Sequence, residues 1–264
     1  MTDEPVLLDI DEGVATITLN RPETRNALAR EVSAGIIEAI GETEGSDARC
    51  VVLEGNGEAF CAGGDVNTMT ERLEGDLSLA DAERLIVQTT SRAIARVAGC
   101  HLPTIATVDG PAFGAGANLA IACDIGVASG ASRIGFGFRQ VGLAVDSGTS
   151  YLLPRLVGLN TAKELVFTGE LLDADRAADL GIFNHVFPDE EFDERAEELV
   201  QEIATGPTVA LRASKRLLDQ DHGSSLDDAI ANEAAAQTAV FETRDHREGV
   251  TAFQEKRDPK FEGH

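Results

Sequence analysis

The chain is expected to be an α/β protein. Three features of its 264 residues carry that expectation: short β-type apolar runs recur through the first two thirds, helical spacing fills the intervals between them, and only helical patterns remain from about Phe192 onward. Val6 to Ile10 and Val14 to Leu19 flank Asp11-Glu12-Gly13 and read as a hairpin of alternating sidedness. Leu28 to Ile40 carries Leu28, Val32, Ile36, Ile37 and Ile40 on one face, the pattern of an amphipathic helix. Arg49 to Leu53 reads as a buried strand, and a glycine-bearing loop follows it. Leu79 to Val97 has the spacing of one helix, through Leu79, Ala82, Leu85, Ile86, Thr89, Ala93 and Val97. Thr104 to Val108, Asp124 to Ala128 and Phe183 to Phe187 are the remaining strand candidates. Helices are then expected over Phe192 to Ala204, Thr208 to Asp219, Leu226 to Phe241 and Arg244 to Lys256, packing on the core or on another subunit.

Composition narrows the class of protein. A hydrophobic fraction of 43% over this length supports a sizeable core. The net charge of -24, from 46 acidic and 22 basic residues, repels nucleic acid and anionic membrane surfaces. The only lysines are Lys163, Lys215, Lys256 and Lys260, and an acidic, lysine-poor surface suits a protein kept dissolved at high salt. Cys50, Cys61, Cys100 and Cys123 lie in or beside apolar runs without metal-ligand spacing, so they read as reduced core residues, and no metal is expected. The acidic start MTDEPVLLDIDEG does not resemble a signal peptide, and no apolar run approaches membrane-spanning length. A cytoplasmic location is expected.

Two glycine-bearing segments carry the chemistry. In AFCAGGDV, Ala59 to Val66, the Gly63-Gly64 pair separates a hydrophobic strand from a helix start that Asp65 is placed to cap. Glycine there lets a backbone N–H approach a ligand oxygen, which is half of an oxyanion hole, although a tight turn reads equally well. The second segment, TIATVDGPAFGAGANLAIACDI, leaves a strand, turns through Asp109-Gly110-Pro111 and enters a small-sided helix whose first N–H groups are free to stabilise negative charge. It lacks the Gly-Lys-Ser/Thr of a phosphate loop and the third glycine of a dinucleotide fingerprint. Farther on, Asp146 stands between an apolar run and a helix beginning near Ser147 to Thr149, either as that helix's cap or as a carboxylate at the mouth of an apolar pocket.

With these segments the chain resembles the crotonase, or enoyl-CoA hydratase/isomerase, superfamily. The matching pieces are LNRPETRNAL, AFCAGGDV, the run from Pro103 to Ile125, GLAVDSGTSYLLPRLVG, the stretch ending at Pro188 and the closing AFQEKRDPKF, in family order over nearly the whole chain. The resemblance implies a crotonase-like spiral of ββα units over residues 1–191, followed by a helical trimerisation region over 192–264, assembled as a homotrimer or a dimer of trimers. It implies an acyl-CoA thioester substrate, with coenzyme A as part of the substrate and no further cofactor. By position, the two oxyanion-hole donors fall on the backbone N–H of Gly64 and of Ala115. Asn26, Ala27 and Leu28, with Ala62, Gly63, Asp65 and Val66, would lie along the coenzyme A, and Lys256 would approach its 3′-phosphate.

The chain departs from the hydratase pattern at two positions. Where hydratases of the family carry glutamates it has Asn118 and Phe138, neither of which acts as a general acid or base. Asn118 reads either as a substrate or water contact or as a satisfied buried amide, and Phe138 as a wall favouring an apolar or aromatic acyl group. Asp146 falls where family isomerases carry their proton-shuttling acid, and the surrounding pattern is most similar to the epoxyphenylacetyl-CoA isomerase branch. Double-bond isomerisation is therefore the expected activity. Three alternatives stay open: a hydratase, a thioester hydrolase using Cys61 with His101 or His185, and an acyl-CoA-binding protein that has lost chemistry.

Overall fold

The computed structural model describes residues 4–65, 70, 75, 78–220 and 223–264. β1 (Val6–Asp11) and β2 (Val14–Leu19) form the expected antiparallel hairpin, turned through Glu12 and Gly13 at positive φ. In chain order the other strands are β3 (Cys50–Gly55), β4 (Thr104–Val108), β5 (Pro111–Phe113), β6 (Ile125–Ser129), β7 (Arg133–Gly135), β8 (Leu171–Asp173) and β9 (His185–Phe187). The main sheet runs β1-β2-β3-β4-β6-β9, parallel from β2 onward, with Val14 opposite Cys50, Val51 opposite Thr104 and Ile105 opposite Ile125. A smaller sheet of β5, β7 and β8 stands beside it. Its three-residue strands are too short for alternation to register, which is why the sequence did not mark them.

The helices among the described residues are α1 (Arg30–Glu44), α2 (Leu79–Gln88), α3 (Thr90–Ala98), α4 (Ala115–Ile121), α5 (Thr149–Val157), α6 (Leu159–Thr168), α7 (Ala174–Asp179), α8 (Phe192–Ala204), α9 (Thr208–Gln220), α10 (Leu226–Val240) and α11 (Arg244–Glu255). α1 starts two residues later than its apolar pattern because Leu28 is held in an isolated bridge to Gly64. The single helix expected over Leu79 to Val97 is broken at Thr89 (φ -110, ψ -100), whose hydroxyl and N–H both donate to the Leu85 carbonyl at 2.6 and 3.0 Å. A side-chain hydroxyl competing for a helix carbonyl bends or ends the helix.

Strand alternation divides the core into two layers. Ala15, Ile17, Leu19, Val51, Leu53 and Ala106 face one side, against Val32, Ile36 and Ile40 of α1. Val14, Cys50, Val52, Ile105 and Val127 face the other, against Phe192, Ala196, Val200 and Ala204 of α8. Each large side chain buried this way contributes roughly 1.5–3 kcal/mol. A parallel sheet needs both faces covered. α8, the first helix after residue 191, is the cover of that second face.

Candidate active site

The first glycine loop is held on two sides. Cys61 N–H donates to the Pro111 carbonyl at 3.1 Å and Phe113 N–H donates to the Cys61 carbonyl at 3.0 Å, so the loop is paired with β5. On the other side Ala62 N–H donates to the Arg25 carbonyl (2.9 Å) and Leu28 N–H to the Gly63 carbonyl (2.7 Å). Asn26, fully buried at φ +57, ties these pieces together. Its Oδ1 accepts from Arg21 N–H at 2.8 Å, and its Nδ2 donates to the carbonyls of Asn56 (3.0 Å) and Ala59 (2.8 Å).

The glycines are dictated by close approach between the two segments. A Cβ on Gly63, which sits at φ +96, would collide with the Phe113 carbonyl oxygen and lie 3.5 Å from Ala115 N. A Cβ on Gly116 would collide with the Cys61 carbonyl oxygen. Backbone therefore lies on backbone, and Gly64 and Ala115 both line one cavity of about 250 Å³. Among the described residues neither N–H donates to another protein group. Ala115 opens α4, where the first N–H groups have no intrahelical partner, and its cap residue Gly114 supplies none.

Residues 137–147 contribute a further stretch of the lining. Phe138 lines the cavity from a 3-10 turn, with the exposed Val141 and Leu143 also on the lining. Asp146 lines it too and is half-buried. The cap of α5 is Gly148, without a side-chain cap bond, so the Asp146 carboxyl is not what begins that helix. What binds the helix start is the Asp146 main-chain carbonyl, which accepts from Thr149 N–H (3.0 Å), Thr149 Oγ1 (2.9 Å) and Asn118 Nδ2 (3.0 Å). Asn118 is fully buried, and its Oδ1 accepts from Thr149 Oγ1 at 2.8 Å. Its amide is satisfied within the protein, beside the cavity and not on its lining.

Of the residues singled out in the sequence, Leu28, Ala62, Gly64, Asp65, Ala115, Phe138 and Asp146 line this cavity. Asn26, Ala27, Gly63 and Asn118 stand behind it. Lys256 is the exposed cap at the end of α11, away from the lining. Val66 and the start of the helix that Asp65 was expected to cap lie outside the described residues. The sequence did not point to Arg30, Leu85, Ile86, Thr89 or Phe113, all of which line the cavity. Phe113 was discoverable from its place before Gly114 in the second segment, whereas the two sides of the break at Thr89 had no local signal.

Cys61 does not border the cavity. Its Sγ donates to the Asn26 carbonyl at 3.0 Å, and burial pushes the thiol up to about 12, so it stays protonated near neutrality. His101 Nδ1 is paired with Glu44 Oε1 at 3.3 Å and His185 is stacked on Phe187. These three groups do not form a nucleophile and its base. Among the described residues no group of three or more His, Cys, Asp or Glu side chains is arranged to hold a metal ion, and no helix is long and apolar enough to cross a membrane.

Comparison with known proteins identifies the family. The family described as enoyl-CoA hydratase/isomerase matches residues 9–264. The 1,2-epoxyphenylacetyl-CoA isomerase of Escherichia coli is 34% identical, covering 98% of this chain and 99% of that protein. The trans-2-decenoyl-[acyl-carrier-protein] isomerase of Streptococcus mutans is 32% identical over 100% of both. A solved enoyl-CoA hydratase structure from Mycobacterium smegmatis superposes with a TM-score of 0.90 at 33% identity, covering 97% of this chain and 98% of that one. Two loops in backbone contact, an aspartate lining the same cavity, and a match running along almost the entire sequence lead to one conclusion: the chain belongs to the enoyl-CoA hydratase/isomerase family and is an enzyme of that type.

Proposed function

We propose that this enzyme moves a carbon–carbon double bond within an acyl-CoA thioester, with Asp146 as the proton shuttle. One observation carries the reading. Gly64, Ala115 and Asp146 line the same cavity, while the two positions at which hydratases of the family bear glutamates are Asn118 and Phe138. With a 3-enoyl thioester bound, the Asp146 carboxylate takes a proton from carbon 2. The electron pair of that C–H bond delocalises onto the thioester oxygen, where the two N–H groups stabilise the growing charge. The same carboxyl returns the proton at carbon 4, leaving the 2-enoyl thioester. Nothing is oxidised, and no co-reactant or further cofactor is consumed. A positioned acid/base group supplies about 10²–10⁴ in rate and each oxyanion donor about 10²–10³.

The apolar walls of Phe138, Ile86, Leu85 and Phe113 support an apolar or aromatic acyl group. The coenzyme A portion would run past Leu28, Ala62 and Asp65, with Asn26, Ala27 and Gly63 shaping its bed and Lys256 meeting the 3′-phosphate. A homotrimer or a dimer of trimers is supported by the large apolar side chains that α9, α10 and α11 leave in solvent, including Leu218, Leu226 and Phe253. The net charge of -24 supports a salt-rich cytoplasm as the setting. Equal unfolding stability in dilute buffer and in molar salt would remove that part.

A second reading, water addition, is favoured by Asp65, which puts another carboxylate on the cavity lining. One assay separates the two. Isomerisation makes conjugated thioester absorbance appear from a 3-enoyl-CoA, and Asp146→Asn lowers that rate by about 10²–10⁴. Rapid loss of the same absorbance from crotonyl-CoA, undiminished in Asp146→Asn, would establish hydration instead.

A further inference from the structure

We propose that Asn118 is the positioning residue for Asp146, fixing its carboxyl against the Gly64 and Ala115 N–H pair through the Asp146 main-chain carbonyl. The inference rests on the reading of Asp146 as proton shuttle and adds what holds it in place. The Asn118 amide is fully buried and used at both ends: Nδ2 donates to Asp146 O at 3.0 Å and Oδ1 accepts from Thr149 Oγ1 at 2.8 Å. Rotating the amide by half a turn would set acceptor against acceptor at Asp146 O, so the arrangement admits one orientation.

The next residue is held as firmly. Ser147 sits at φ +49, a conformation that non-glycine residues keep only where their surroundings enforce it, and its Oγ lies 3.2 Å from Ser91 Oγ. Thr149 N–H adds a third hydrogen bond to the Asp146 carbonyl region at 3.0 Å. Groups from α3, α4 and α5 thus converge on the Asp146 carbonyl and on the Ser147 side chain that follows it. A catalytic carboxyl supported this way loses its aim when the main chain beneath it moves, and a misplacement near 1 Å lowers turnover about 10²-fold.

The residue type at 118 matters as much as its burial. A carboxylate there has only acceptors and cannot donate to the Asp146 carbonyl. A glutamate at this position, the hydratase pattern, is therefore incompatible with this anchoring. One asparagine both removes a second carboxylate from the site and secures the first.

The test uses the full-length protein as wild type, Asn118→Ala, Asn118→Asp, Asp146→Ala and the Asn118→Ala/Asp146→Ala double variant. Turnover is measured on a 3-enoyl-CoA and binding on the matching saturated acyl-CoA, which cannot react. Both Asn118 variants are expected to lower kcat about 10²-fold while KM and saturated acyl-CoA affinity stay within twofold. The double variant is expected to be no slower than Asp146→Ala, because a group acting only through Asp146 has nothing left to position. Asn118→Asp is isosteric and keeps the acceptor for Thr149, so it reads the lost donor even if Asn118→Ala folds poorly. Near wild-type kcat in Asn118→Asp, multiplied losses in the double variant, or weakened binding of the saturated thioester would each overturn the inference. If Asp146→Ala retained full turnover, the proton-shuttle reading and this inference would fall together. If it were inactive while the Asn118 variants were not, only this inference would fall.

Discussion

The glycine-bearing loops and the C-terminal helices have opposite kinds of surface. Where residues 59–64 meet residues 111–116, Ala59, Phe60 and Cys61 are at most 1% exposed, and each segment's backbone occupies the space a side chain of the other would need. In α10, by contrast, Ala236 is the one buried residue, and Leu226 and Ile230 are 75% and 52% exposed. Phe253 of α11 is 86% exposed. The first region is complete within one chain, and its geometry follows from contacts this chain makes with itself. The second presents apolar area that a single chain leaves to water, which is the mark of a surface meant to be covered. On the proposed reading, chemistry and assembly fall to different parts of the molecule, so each is open to separate perturbation.

The sharpest way to break the comparison acts on the loops. Proline fits the first position of a helix but carries no N–H, so Ala115→Pro should leave α4 in place while lowering kcat by about 10²–10³. Steady-state kinetics on a 3-enoyl-CoA, with circular dichroism as the check on folding, measures it, and unchanged turnover would deny Ala115 a role at the thioester oxygen. Next in size is Gly116→Ala. Its methyl group would enter the space of the Cys61 carbonyl, and overpacking of this kind costs about 1–3 kcal/mol in denaturant unfolding. Unaltered stability would mean the two loops are not in the contact described.

In the other region, Leu226→Asp combined with Ile230→Asp should abolish assembly by sedimentation while changing the stability of the isolated chain by only about ±0.5 kcal/mol. Retained assembly would place the interface elsewhere. The smallest effect expected is at the end of the chain. Arg257 donates to both Glu248 oxygens, at 2.6 and 3.0 Å, and Lys260 N–H donates to Oε1 at 2.9 Å, holding the Glu248 carboxyl at about 2 against its ordinary 4.5. A depressed carboxylate stabilises the fold in full above its ordinary value and loses that contribution as the pH falls through 4.5 toward 2. Glu248→Gln should therefore flatten the acid limb of a stability-against-pH curve slightly, and an identical curve would show the pair to be fully screened.

Much of this was legible in the sequence because it is local. The hairpin, the strands of the main sheet and the last four helices follow their apolar periodicity to within one or two residues, since a face that packs must repeat with the period of its element. Gly63, Gly116 and Asp146 were visible because a glycine in an apolar run, or an acid beside one, is conspicuous in its own right. The break at Thr89 was not, because threonine fits the helical pattern on both sides and only the Leu85 carbonyl reveals the interruption. The role of α8 was equally hidden: its amphipathic stripe says that it packs, and the uncovered side of the sheet says where.

Read without the fold, then, the sequence marked an α/β chain with two glycine-bearing segments, and marked Asp146 as an acid beside an apolar run while Asn118 and Phe138 offer none. The tertiary structure alone decided which of those groups border one cavity, that the helix after Asp146 is capped by Gly148 and not by that carboxyl, and that Asn118 turns its amide onto the Asp146 carbonyl. The physical reason is separation along the chain. Asn118 and Asp146 are 28 residues apart, and a hydrogen bond across that distance leaves no trace in the spacing or composition around either residue.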